Sequence, residues 1–234
     1  MRIILALLLC LMLSAYAYAA VVDASTAEAA FLGGDFPAAR EAFAALVEQF
    51  RTASKDSNDF RVYREAAYLY DRLADCCFTQ RDWEALKLYA DGLVVVSVSE
   101  RNLADEQLSG ALMSGIAYAT ASYLSERLDE SVRFSSLMQL KRSICLVLVD
   151  SHGEGEQGQG AITLYQRLAA AMRGILAVED GAYELDINAL DANLDEMESI
   201  LTALEELSNI DVLWEKYPPQ GRTTDETPGD SPAT

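Results

Sequence analysis

Proline is the residue whose placement most restricts this chain: after Pro37 none occurs until Pro218, so the 180 residues 38–217 lack the residue that breaks helices. Across that span apolar residues recur at spacings of three and four, the period of one face of a helix. An all-α chain follows, and sheet-rich folds are set aside. Val94-Val95-Val96-Ser97-Val98 has strand propensity, but it closes a helical pattern of Trp83, Leu86, Tyr89 and Leu93 and reads as the buried end of a helix. Ser25-x-x-Glu28 has the form of a capping box, and Asp35, Asp82 and Asp129 stand where a helix N-cap or first-turn acid belongs.

Ahead of the helical span, Met1 and Arg2 precede an apolar run from Ile3 to Leu13, and small residues then surround Tyr16 and Tyr18. The run is too short for a membrane span, which needs about 20 apolar residues, and suits a secretory signal cleaved after Ala19. Residues 1–19 are therefore read as a signal peptide, and a secreted or periplasmic location with no stable membrane insertion is expected. The formal charge is −19, which opposes binding to nucleic acid or to anionic membranes. Fifteen acidic residues lie in 176–234 against Lys216 and Arg222, so that end is the most solvated.

The chain also repeats. Gly34-Asp35-Phe36, Arg81-Asp82-Trp83, Glu126-Arg127-Leu128-Asp129 and Gly181-Ala182-Tyr183 each read as a turn bearing a large apolar residue. Phe36, Trp83, Leu128 and Tyr183 are separated by 47, 45 and 55 residues, which predicts four hairpins of helices near 20 residues long. Within the first, Gly34-Asp35-Phe36-x-x-Ala39-x-x-x-Phe43 resembles the opening of the second helix of a tetratricopeptide repeat, and Ala27, Ala74 and Ala119 supply matching small residues in the first helices. The resemblance covers 24 to about 140 fairly well and the remainder weakly. It implies a right-handed α-solenoid over 20–217; the period exceeds the usual tetratricopeptide length of about 34 residues, which leaves a closed helical bundle as the alternative.

Motifs that could carry chemistry are weak. Gly153-Glu154-Gly155-Glu156-Gln157-Gly158 matches G-x-G-x-x-G, yet its glutamates oppose a phosphate and no strand–helix alternation surrounds it, so 151–160 reads as a flexible glycine-rich loop. His152, the only histidine, lies there without a nucleophile nearby in sequence. No calcium loop is formed by Asp186, Asp191 and Asp195. Cys76, Cys77 and Cys145 suit neither a redox motif nor a zinc site; they read as small buried hydrophobes, with a bond from Cys145 to Cys76 or Cys77 left open. Ile187, Leu190, Leu194, Met197, Leu201 and Leu204 form an a/d seam on a final long helix, expected to cap the stack within the chain, with pairing of two chains as the alternative. Trp214 and Tyr217 are expected to fold back over its tip, and composition makes 218–234 a disordered acidic tail.

No catalytic cluster, metal site or cofactor site is legible, so a protein-interaction scaffold is the expected function, with a small-ligand binder linked to transport as the alternative and an enzyme as a remote one. The resemblance implies that first helices line a concave face. Carried onto this chain, that face comprises Tyr68, Asp71, Asp75 and Phe78 with Met113, Ile116, Thr120 and Tyr123, its tyrosines and acids suited to a peptide or protein with a basic segment.

Overall fold

The structure, a computed structural model, describes residues 24–53, 59–114, 118–179 and 182–219. The signal segment 1–19 and the tail from 220 onward lie outside the described residues. Ile116 lies outside them too.

The chain is all-α in class. Helices α1 (Ala24–Leu32) and α2 (Phe36–Ala53) form one hairpin, α3 (Phe60–Gln80) and α4 (Trp83–Met113) a second, α5 (Tyr118–Ser151) and α6 (Gly155–Ile175) a third. Strands β1 (Leu176–Glu179) and β2 (Ala182–Leu185) then pair antiparallel, with Leu176 opposite Leu185. Short helices α7 (Ile187–Ala192), α8 (Leu194–Leu207) and α9 (Ile210–Lys216) complete the described chain. No helix among the described residues is long and apolar enough to cross a membrane.

The first two turns fall where the sequence puts them, because local capping sets them. Asp35 accepts from the Ala38 amide at 3.2 Å, and Asp82 from the Ala85 amide at 3.2 Å. Arg81 ends α3 in the left-handed conformation, its amide returning to Cys77 and Phe78 carbonyls. Arg40 Nη1 then ties the first hairpin to the second turn through Asp82 at 2.7 Å and Gln80 at 3.0 Å. The Val94–Val98 run is helical, within α4.

Later boundaries differ from the sequence reading. Residues 126–129 do not turn but lie inside the 34-residue α5. Glu126-Arg127-Leu128-Asp129 contains no helix breaker, and Arg127 pairs with Glu130 at 3.0 Å one turn on, so Asp129 caps nothing. The fourth turn is likewise absent as a helix start, because Ala182–Leu185 is strand β2. Asp180-Gly181 between short alternating segments is a hairpin signal, which outweighs the helical repeat there. Among the described residues three helical hairpins thus stand where four were expected, and α4 and α5 exceed the expected length.

The glycine-rich segment is also shorter as a loop than expected: α6 begins at Gly155, leaving a tight turn at 152–154. Gly153 has φ 67°, and a Cβ there would meet Trp83 Cζ2 at 2.6 Å; a Cβ on Gly158 would meet the Gly153 carbonyl carbon at 2.2 Å. Gly153 thus lets the turn pack against Trp83 of the α3–α4 hairpin, and Gly158 lets the first turn of α6 close onto the Gly153 backbone.

Helices adjacent in sequence pack together from α1 through to α6. The core centres on α3, where Ala66, Ala67, Ala74, Cys76 and Cys77 are fully buried and let neighbouring helices approach closely. Helix α6 returns to the end of α3, stacking Tyr165 on Phe78 with ring centroids 4.0 Å apart. Strand β2 covers the other end of α3. The final seam is broken at Asn193, whose side chain donates to the Ala189 carbonyl at 2.7 Å, so α7 and α8 are separate. Trp214 and Tyr217 turn onto α5, through Ser143 at 2.9 Å and Asp150 at 3.0 Å.

Candidate functional site

The face of α3 expected to meet a partner is turned inward. Tyr68 and Asp71 are buried, Asp75 and Phe78 only partly exposed. Lys141 of α5, fully buried, donates from Nζ to Asp71 and to Asp75 Oδ1, the latter at 2.9 Å, and Tyr165 donates to the same Asp75 oxygen at 2.8 Å. Arg72 Nη1 stands 3.8 Å from both carboxylates, while its Nε donates to Glu28 at 3.2 Å beside the Tyr68 hydroxyl, which also donates to Glu28. Tyr68 and Asp71 are therefore buried in the core, with the Tyr68 hydroxyl engaged by Glu28 and the Asp71 carboxylate by Lys141.

Burial sets the protonation chemistry of this cluster. Burial pushes the Asp71 carboxyl up, against the pull of Lys141. For Lys141 burial works downward, but Asp71 and Asp75 outweigh it and hold the ammonium above its ordinary range. The Tyr165 phenol is raised well above its ordinary range by burial and then by Asp75. Cys76, Cys77 and Cys145 are free and buried, with burial raising each thiol to about 12, so none is poised as a thiolate.

The other predicted residues lie elsewhere. Met113 ends α4 and is 89% exposed, Thr120 is exposed near the start of α5, and Tyr123 is exposed with its hydroxyl accepting from Arg127 at 3.2 Å. Tyr123 shares a polar hollow with Phe60, Arg64 and Glu130 at the far end of α3. The structure does not gather the two sets on one face. His152 is exposed in the turn before α6, and no group of three or more His, Cys, Asp or Glu among the described residues is placed to hold a metal ion.

A different surface has the geometry of a binding site. A groove of about 650 Å³ runs between α5 and α8. Val132, Ser136 and Leu140 line one wall at helical spacing, and Leu194, Met197, Leu201 and Leu204 line the other. Leu137 and Leu190 lie at its base, and Ile210 and Trp214 close one end. It exists because α8 packs on α6, and α9 on α5, which leaves the flanks of α5 and α8 facing each other. Val132, Leu194 and Leu201 remain 42%, 43% and 45% exposed. The charged lining is Glu198, Glu205 and Asp211 with Arg133, and Arg133 is held by Asp191 at 2.6 Å. The sequence seam supplied one wall of this groove; Val132 and Leu140, some sixty residues earlier, carry no mark of the pairing.

Against known proteins, no family model matches the chain, and neither a curated protein nor a solved structure matches it significantly.

Proposed function

We propose that this chain is an exported, non-catalytic interaction protein that receives an amphipathic helix of a partner protein in the groove between α5 and α8. The apolar leader Ile3–Leu13 with Ala17 and Ala19 supports export. The observation that carries the binding role is the pair of facing apolar rows, spaced as helix-in-groove recognition requires. From Val132 to Ser143 the wall runs about 17 Å, room for roughly three turns of helix at 1.5 Å per residue. With Glu198, Glu205 and Asp211 alongside and Arg133 neutralised, the complementary helix carries Lys or Arg on its flanks. The chain's own tail is a poor occupant, since 220–234 contain no large apolar residue. For the architecture, the return of α6 onto α3 supports a closed stack of tetratricopeptide-like hairpins over an open solenoid.

Fluorescence anisotropy tests this with a helix-stapled peptide of about twelve residues bearing leucine at i, i+4, i+7 and i+11 and lysine elsewhere. The peptide is expected to bind with micromolar affinity, its glutamate counterpart at least about tenfold more weakly, and Leu201→Glu to abolish binding while circular dichroism stays unchanged. Equal binding of both peptides, or binding that survives Leu201→Glu, overturns the proposal. So does a concentration-dependent rise in sedimenting mass that Leu201→Glu removes, because a second copy would then fill the groove.

A further inference from the structure

A smaller cavity, about 350 Å³, opens between the α1–α2 turn, the end of α3 and the middle of α6. Phe31 and Phe36 form one side, paired edge to face at 5.6 Å, and the stacked Phe78 and Tyr165 form the other. Asp75 reaches the cavity between them and Arg173 lies at the exposed rim.

Two features give this hollow a chemical preference. First, Asp75 is only half satisfied. Its Oδ1 accepts from Lys141 and Tyr165, whereas Oδ2 has Arg72 Nη1 at 3.8 Å, beyond hydrogen-bond reach, and no donor among the described residues. Second, among the described residues Glu28, Asp71 and Asp75 share Arg72 and Lys141, and Arg173 stands apart from them at the exposed rim. The carbonyl end of α3, which closes at Gln80, adds negative potential at the same place. A purely apolar guest would strip water from a carboxylate oxygen without replacing its hydrogen bond. A metal ion finds one open oxygen and no second ligand set.

We infer that this cleft binds a small organic amine, its ammonium donating to Asp75 Oδ2 and its aromatic or compact apolar body held between the Phe31–Phe36 and Phe78–Tyr165 pairs. The fixed aromatic walls suit such a body: Tyr165 is stacked on Phe78 and has the Lys141 ammonium 4.9 Å from its ring centroid, so it cannot swing into the cavity without breaking both contacts. The carboxylate and the aromatic edges together recognise a cation with an apolar side, as in other sites that combine a few polar groups with apolar walls. The site is separate from the α5–α8 groove and stands or falls independently of it.

Isothermal titration calorimetry with phenethylamine and with 2-phenylethanol on the purified protein tests the inference. The two probes share a body and differ in the ammonium. Phenethylamine is expected to bind with a sub-millimolar dissociation constant and the alcohol about tenfold more weakly or not at all. Asp75→Asn should weaken the amine about tenfold and erase the difference between the probes. Because that residue belongs to a buried cluster, Ala169→Leu provides a second variant that fills the cavity and leaves every charge in place. It should abolish amine binding with the thermal unfolding curve unchanged, and binding of the leucine–lysine peptide in the groove should be unaffected. Equal binding of amine and alcohol, no binding of the amine, or amine binding that survives Ala169→Leu each overturns the inference.

Discussion

Replacing Lys141 with methionine keeps all but the terminal atom of the side chain and removes one charge from the centre of the molecule. At an effective dielectric of about 20, a unit charge pair at the 2.9 Å separation of Lys141 and Asp75 attracts by about 6 kcal/mol, with the Asp71 contact adding to it. Much of that is offset by the several kcal/mol of desolvating a buried ammonium, so the pair's net contribution is far smaller than its attraction. Removing one partner is a different matter. Glu28, Asp71 and Asp75 would be left facing Arg72 alone, and a broken buried pair of this kind costs about 3–5 kcal/mol. Urea unfolding followed by circular dichroism measures the loss, with an unchanged m-value showing that the same surface is exposed. The triple variant Lys141→Met, Asp71→Asn, Asp75→Asn removes the stranded charges and should recover all but about 1–2 kcal/mol. A single variant within about 1 kcal/mol of the parent would mean that Lys141 is solvated and the network wrongly placed. A triple variant no better than the single one would assign the loss to packing.

Three further outcomes follow from the same contacts. The folded-state pKa of Lys141 is raised above its ordinary value of 10.5, so its contribution is complete below that value and is lost as pH rises through the folded pKa; the urea midpoint should fall above about pH 10, and fall less in Lys141→Met. Gly153→Ala combines a left-handed backbone with a contact of 2.6 Å to Trp83 and should cost about 2–4 kcal/mol, seen as a lowered thermal midpoint. Cys76, Cys77 and Cys145, free and buried, should resist a thiol reagent in the native protein and all react in denaturant; fewer reactive thiols on unfolding would reveal a disulfide.

What the sequence makes legible here is local chemistry. Asp35 and Asp82 cap helices through amides three residues away, so the first two turns are visible without tertiary information. Asp129 has the same identity and the same spacing from its predecessor, yet helix-forming neighbours carry the chain through it. Asp71 and Asp75 resemble an exposed acidic face because the lysine that neutralises them is 70 and 66 residues away. The glycine motif at 153–158 resembles a phosphate loop because its true neighbour, Trp83, is in another hairpin. The groove is hidden for a related reason: Leu194 and Leu201 read as one seam of a long helix, and only the packing of α8 on α6 turns them toward Val132 and Leu140.

Whether the α5–α8 groove receives a basic amphipathic helix is read most directly from hydrogen–deuterium exchange of the protein with and without saturating leucine–lysine peptide. Amides of 132–143 and 194–204 should slow on binding, while those of α2 and α4 keep their rates. Protection absent from both walls of the groove, or confined to α1 and α2, would contradict the assignment.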